Sequence, residues 1–159
     1  MLNEHELKFL DRAAELSLQG MSSGNGGPFG CVIVLNNQIV GEGYNMVTST
    51  NDPTAHAEVV AIRNACANLK AFQLNGCDVY TSCEPCPMCL GALYWARVNR
   101  VIYANTRQEA AAIEFDDEFI YNEINTDFMQ RAIPFIHVPH AGAKEVFEKW
   151  RYMDSKLKY

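Results

Sequence analysis

Two short, well-separated motifs constrain this chain more than anything else in it: His56-Ala57-Glu58 and Pro85-Cys86-Pro87-Met88-Cys89. Cys86 and Cys89 stand three apart, which puts both thiols on one face of a helix where they can grip a single ion. Pro87 marks the start of that helix, since proline is at home in the first turn. Free N–H groups and the positive end of the helix dipole there favour thiolate. His56 supplies a third donor of the kind zinc takes, so a fold for this chain has to bring two distant segments to one point.

Thr54 is the expected cap of the second helix, running to about Leu69 with Val59, Ile62 and Cys66 on its buried side. His56 then falls in its first turn. At ~100° per residue His56 and Glu58 point about 200° apart, so both approach one ion only if it lies off the open helix end. Three protein ligands leave a tetrahedral zinc one position for water, the arrangement of a catalytic site. Zinc lowers the pKa of such a water to about 7, making hydroxide available at neutral pH. Glu58 is then free to move protons. The competing arrangement is a closed site with Cys83 as fourth ligand, which excludes water.

The remaining sequence reads as alternating strands and helices, which argues for a three-layer α/β/α sandwich. Leu7, Leu10, Ala14 and Leu18 recur at helical spacing, with Gly20 as a stop. Ser22 to Gly27 is a loop; it lacks the Gly-Lys-Ser/Thr that would make it a phosphate cradle. Phe29–Leu35 and Gln38–Tyr44 read as strands joined at Asn36-Asn37, a dipeptide that accepts the positive φ of a type I′ turn. Cys77–Ser82 and Val101–Ala104 are further strands, and Pro87–Arg97 an apolar helix. Ile133–Val138 is expected as an edge strand, because Pro134 cannot donate to an inner ladder. The tail, about 143–159, reads as a helix with Val146, Phe147, Trp150, Met153 and Leu157 as its apolar stripe.

At 159 residues the chain suits one domain, and no repeat or linker divides it. Its net charge of −6 speaks against a nucleic-acid surface, which draws its affinity from Lys and Arg. No apolar run is long enough to cross a bilayer, so no membrane contact is expected. The acidic first twenty residues, with Glu4, Glu6, Asp11 and Glu15, read as neither signal nor transit peptide. Six cysteines without a secretory signal imply reduced thiols and a cytoplasmic location.

The His-x-Glu and Pro-Cys-x-x-Cys pair is the signature of zinc nucleobase deaminases, and the chain resembles the cytidine deaminase-like zinc superfamily over essentially its whole length. Gly26-Gly27-Pro28-Phe29-Gly30, Asn51-Asp52-Pro53-Thr54-Ala55-His56-Ala57-Glu58 and Tyr80-Thr81-Ser82-Cys83-Glu84-Pro85-Cys86-Pro87-Met88-Cys89 carry the resemblance. Tyr94-Trp95-Ala96-Arg97, Phe115-Asp116-Asp117 and the final Tyr159 narrow it to the bacterial guanine deaminases. The resemblance implies a five-stranded mixed sheet sandwiched by helices. It implies one zinc per chain on His56, Cys86 and Cys89, hydrolysis of guanine to xanthine and ammonia, and Glu58 as proton shuttle. Asp117 rather than Asp116 would be a second shuttle. Asn45 would bond the base, Phe29 and Trp95 would stack on it, and Tyr159 would close the pocket. A homodimer that exchanges the C-terminal segment is implied as well.

Other readings stay open on the sequence. A related deaminase of guanosine, cytosine or another aminated ring differs only in pocket contacts. A tRNA adenosine deaminase shares Pro-Cys-Pro-Met-Cys but should carry a basic surface. A catalytically silent zinc-stabilised dimerisation module has no need of Glu58 and Asp117.

Overall fold

Asn3 opens helix α1 (Glu4–Ser22) with a reciprocal capping box, its side chain accepting from the Glu6 N–H while Glu6 accepts from the Asn3 N–H. The buried face is Phe9, Ala13, Leu16 and Gly20, not the expected Leu7-Leu10-Ala14-Leu18 stripe, and Leu7 and Leu18 are exposed. Nor does Gly20 end the helix. It is where Tyr44 packs: a Cβ there would lie 2.7 Å from the tyrosine ring.

The computed structural model describes residues 2–158, which fall into two compact units, one ending at Glu118 and one beginning at Phe119. In the first unit, strands β1 (Gly30–Leu35) and β2 (Gln38–Tyr44) form the expected hairpin. Asn36 and Asn37 turn it with φ of 50° and 62°. After helices α2 (Val47–Thr50) and α3 (Ala57–Leu69) come β3 (Asp78–Cys83), α4 (Pro87–Ala96), β4 (Arg100–Asn105) and the short α5 (Arg107–Ala111). The sheet order is β2-β1-β3-β4, antiparallel except for the β3–β4 pair, so the sheet is mixed.

Strand alternation divides the core in two. Val32, Val34 and Tyr80 pack with Phe9 and Leu16 of α1 on one face. Cys31, Ile33 and Val79 pack on the other with Ala57, Ala61 and Ala65 of α3 and Leu93 and Ala96 of α4. Val59, Ile62 and Cys66 are only half-buried, because the sheet meets α3 along its alanines. Gly41 and Gly43 allow that approach: a Cβ on either would come within 2.6 Å of α3 backbone. Along the outer edge of β2, Asn64 and Asn68 of α3 donate side-chain amides to the carbonyls of Glu42 and Val40, at 2.8 and 2.9 Å.

The expected five strands are four among the described residues. Ile133–Val138 lies in the second unit and forms no strand. Pro134 offers no N–H to a ladder, and the Ala132 N–H is given to Glu123 instead. That unit holds most of α6 (Glu118–Asn125), a 3₁₀ turn at Phe128–Gln130 and α7 (Ala141–Arg151). The Arg131 guanidinium lies over the rings of Phe128 and Phe135. The tail helix is shorter than expected. It starts where His140 accepts the Ala143 N–H and ends at Arg151, leaving Met153 and Leu157 beyond it. Tyr159 lies outside the described residues. No helix among the described residues is long and apolar enough to cross a membrane.

The close seat of α3 on β2 yields a prediction. Gly43→Ala puts a Cβ 2.5 Å from the Ala57 carbonyl. The overpacking should lower stability by about 1–3 kcal/mol in denaturant unfolding.

Candidate active site at two helix starts

His56 is the N-cap of α3 and Cys86 the N-cap of α4. The expected cap, Thr54, belongs instead to a tight turn in which Asp52 accepts both its N–H and its hydroxyl, at 2.8 and 2.6 Å. The helix therefore begins later than the sequence suggests, and the angular conflict between His56 and Glu58 disappears. His56 has extended dihedrals of −68° and 156°, and Cys86 −64° and 168°, so neither side chain follows the helical screw. Each carbonyl accepts the first helical bond, yet neither side chain caps its own helix. Both are left to point off the helix ends.

They point at each other. His56 Nδ1 lies 3.5 Å from Cys86 Sγ and 3.5 Å from Cys89 Sγ. Zn–S bonds of about 2.3 Å and Zn–N bonds of about 2.0–2.1 Å at tetrahedral angles require an N···S edge of about 3.5 Å. The donor set and its spacing thus fit zinc. Cys83 does not join them. Its thiol is buried, donates towards the Thr106 carbonyl at 3.7 Å, and is pushed up to about 11 by burial and the nearby Glu58 charge. The group within ligand distance is His56, Cys86 and Cys89, so the closed four-ligand arrangement is not the one adopted.

The charges argue the same way. The Cys86 thiol is drawn down to about 4 by hydrogen bonds from Cys89 and His56, while Cys89 is pushed up by its thiolate neighbour and burial. His56 is raised by its bond to Cys86. The two thiols thus oppose each other's ionisation, and a divalent cation bound between them would favour both as thiolates.

Glu58, in the first turn of α3, is buried. One carboxylate oxygen, Oε1, accepts from the Thr81 hydroxyl at 3.1 Å, and the other, Oε2, lies 3.3 Å from Cys89 Sγ. Burial raises its pKa, so it keeps a proton more readily than an exposed glutamate. Asp117 follows α5 and is half-buried; burial, then the Cys86 charge, raise its pKa while Arg107 opposes them. The structure thus brings Asp117 within electrostatic reach of the thiolate. Asp116 instead accepts the Glu118 N–H at 2.9 Å near the start of α6.

Asn45 follows β2 and is buried, with its Oδ1 accepting the Val47 N–H at 3.2 Å. Its amide NH₂ is thereby the end left to read an acceptor. Gly26 sits against it, where a Cβ would fall 2.1 Å from Oδ1. Phe29 meets Phe115 edge to face at 4.9 Å, over Gly27. Trp95 is farther along α4, six residues past Cys89 or about 9 Å of helix axis, and 68% exposed. Sequence reasoning gave no role to Phe115 or Thr81. The run Tyr80-Thr81-Ser82 was the available signal for Thr81, since consecutive hydroxyls in a buried strand need partners.

With this geometry the class is defined. The chain belongs to the family of the cytidine and deoxycytidylate deaminase zinc-binding region, which matches residues 3–105. Within that family it is 53% identical to the guanine deaminase of Bacillus subtilis over 151 residues, 95% of this chain and 97% of that protein. The X-ray structure of guanine deaminase from Bacillus subtilis superposes with a TM-score of 0.94 at 51% identity, covering 99% of each chain. A guanine deaminase structure from Nitrosomonas europaea reaches a TM-score of 0.66 at 27% identity, over 74% of this chain and 66% of that one. The tRNA-specific adenosine deaminase of Aquifex aeolicus is 30% identical over 123 residues, 77% of this chain and 79% of that protein.

Metal analysis checks the ligand set. Cys83→Ser should retain about one zinc per chain, and Cys89→Ser should lose it, since Cys89 belongs to the group within ligand distance and Cys83 does not.

Proposed function

We propose that this chain is a zinc-dependent guanine deaminase that converts guanine and water to xanthine and ammonia. The observation that carries the reaction class is a buried carboxylate, Glu58, held against three converging zinc donors. The choice of base rests on the likeness to the Bacillus subtilis guanine deaminase along nearly the whole chain.

When bound by His56, Cys86 and Cys89, zinc supplies a water activated for nucleophilic attack at neutral pH. Glu58 accepts a proton from the attacking water and returns it to the ring nitrogen beside the amino-bearing carbon. It then takes the remaining proton of that water, from the hydroxyl now bonded to the ring carbon, and passes it to the departing amine, which could not leave as an amide anion; the oxygen stays on the ring carbon as the new carbonyl. Asp117, its proton affinity raised by burial, serves as the second shuttle near that amine. Asn45 donates its NH₂ to the carbonyl of the base, since Val47 already occupies its oxygen. Phe29, steadied by Phe115, forms one wall, and Trp95 and Tyr159 are assigned to stack on and close over the ring. All six cysteines are unpaired, which supports a cytoplasmic enzyme.

We assign the protein to a homodimer that exchanges its C-terminal segment, about residues 143–159. No described residue from 119 onwards is buried, although Phe119, Phe128, Ile136, Phe147 and Tyr152 are large and apolar. Apolar side chains exposed in such number call for a covering surface. Leu90, Tyr94, Trp95 and Tyr103 of the first unit are exposed too. Light scattering should give twice the chain mass, and a monomer would exclude the exchange. Deleting Tyr159 should lower guanine turnover at unchanged zinc content.

The deciding experiment measures ammonia release with guanine, guanosine, adenine, cytosine and cytidine side by side. Guanine should react fastest; a nucleoside reacting in its place would reassign the substrate. Salt-sensitive RNA binding would favour the tRNA-editing relatives. Glu58→Gln should keep its zinc and lose about 10²–10⁴-fold in kcat, as expected for removal of a general acid–base.

A further inference from the structure

We propose that Thr81 is the positioning residue for the proton-shuttling carboxylate: its hydroxyl holds Glu58 Oε1, leaving Oε2 as the oxygen that carries the proton. This rests on the deaminase reading above, in which Glu58 moves protons between water and base.

Thr81 lies on β3, 1% exposed, opposite Cys31 of β1 in the register. Alternation along β3 places it on the same face as Val79, the face that α3 covers. Its Oγ1 has two acceptors in reach, Glu58 Oε1 at 3.1 Å and the Gly30 carbonyl at 3.3 Å. A hydroxyl has one hydrogen, so it serves one of them at a time. The carboxylate is the nearer, and a bond to a charged acceptor is about twice as strong as a neutral one. The platform is rigid. The Gly30 N–H donates to Ser82 Oγ at 3.0 Å, and Gly30 itself is pressed against α1 so closely that a Cβ would meet the Ala13 carbonyl.

Glu58 needs such an anchor. Its side chain has three rotatable bonds, and Cys89, once ligating as a thiolate, has no hydrogen to give Oε2. Of the two side chains that touch this carboxylate, Thr81 is then the one left to donate, beside the N–H of Glu58 itself. With Oε1 engaged, an incoming proton settles on Oε2, the oxygen on the ligand side. When Oε2 carries that proton, Oε1 is carbonyl-like and still accepts from Thr81. The same hydrogen bond therefore suits both protonation states, and the carboxyl group need not turn between taking a proton and giving it back. This pre-set orientation is what the hydroxyl adds to a site whose parts are otherwise in place.

Thr81→Val keeps the shape and removes the hydroxyl, whereas Thr81→Ser keeps the hydroxyl and removes a methyl group. The Val variant should keep one zinc per chain and a KM within about twofold of wild type while kcat falls about 10- to 100-fold, the scale of a misplaced catalytic group. The Ser variant should recover most of that kcat, and a crystal structure of the Val variant should show Glu58 turned from its place. Wild-type kcat in the Val variant, an equal loss in the Ser variant, or an unmoved Glu58 carboxylate would each overturn the proposal. If Thr81→Val fails to fold or to hold zinc, Thr81→Ala decides: zinc-loaded with low kcat it supports the assignment, with wild-type kcat it overturns it. All variants are compared on whichever base the wild-type protein deaminates, so a change of substrate leaves the comparison intact. A wild type that releases ammonia from no base removes the functional reading, and with it the role of Thr81.

Discussion

Everything at this site depends on two helices beginning at the same place. At the start of a helix the backbone N–H groups lack partners and the dipole is positive, and an N-cap side chain ordinarily turns back to satisfy them. His56 and Cys86 do not turn back. Their extended dihedrals throw imidazole and thiol forward off α3 and α4, and Cys89, three residues on, completes a donor triangle of zinc dimensions. The positive ends of both helices face the anionic ligands and help to hold them deprotonated. The sheet enforces this meeting: α3 and α4 lie on one face of it, over Ile33 and Val79.

The donor set and Glu58 were legible because metal chemistry restricts residue type and spacing so tightly. The hairpin at Asn36-Asn37 was legible for a similar reason, since few residues accept positive φ at both positions. What sequence patterns missed was governed by tertiary contact. Local cues put the cap of α3 at Thr54, but Asp52 had a better use for that residue's donors. The apolar stripes of α1 and α3 are offset from the most buried faces, with Leu10, Ile62 and Cys66 packing on the core only half-buried, because close packing selects small residues as readily as large ones. Gly20 and the Ala57-Ala61-Ala65 row lie inward while Leu7 and Leu18 face out. Thr81 and Phe115 carried no motif of their own; their contacts with Glu58 and Phe29 come from the fold.

On the proposed function, the reaction and its substrate rest on two different layers of side chains. Proton transfer needs a buried carboxylate beside the metal donors, and those groups arise from two helix starts and a central strand. On the same reading, the choice among aminated rings falls to a second set of side chains outside the donor group: Asn45, the Phe29–Phe115 pair and Asp117. A family sharing the first layer can therefore contain members acting on quite different bases, as its guanine and tRNA adenosine deaminases do.

The amides of Asn64 and Asn68 have a consequence for assembly. They occupy the Glu42 and Val40 carbonyls along the outer border of β2, which another strand would need in order to add there. Arg12 guards the same stretch through its ion pair with the Glu42 side chain. That border of the sheet is thus closed to a further strand. A sheet with both borders bare could add neighbours on either side without end, and two asparagine amides remove one of those two routes.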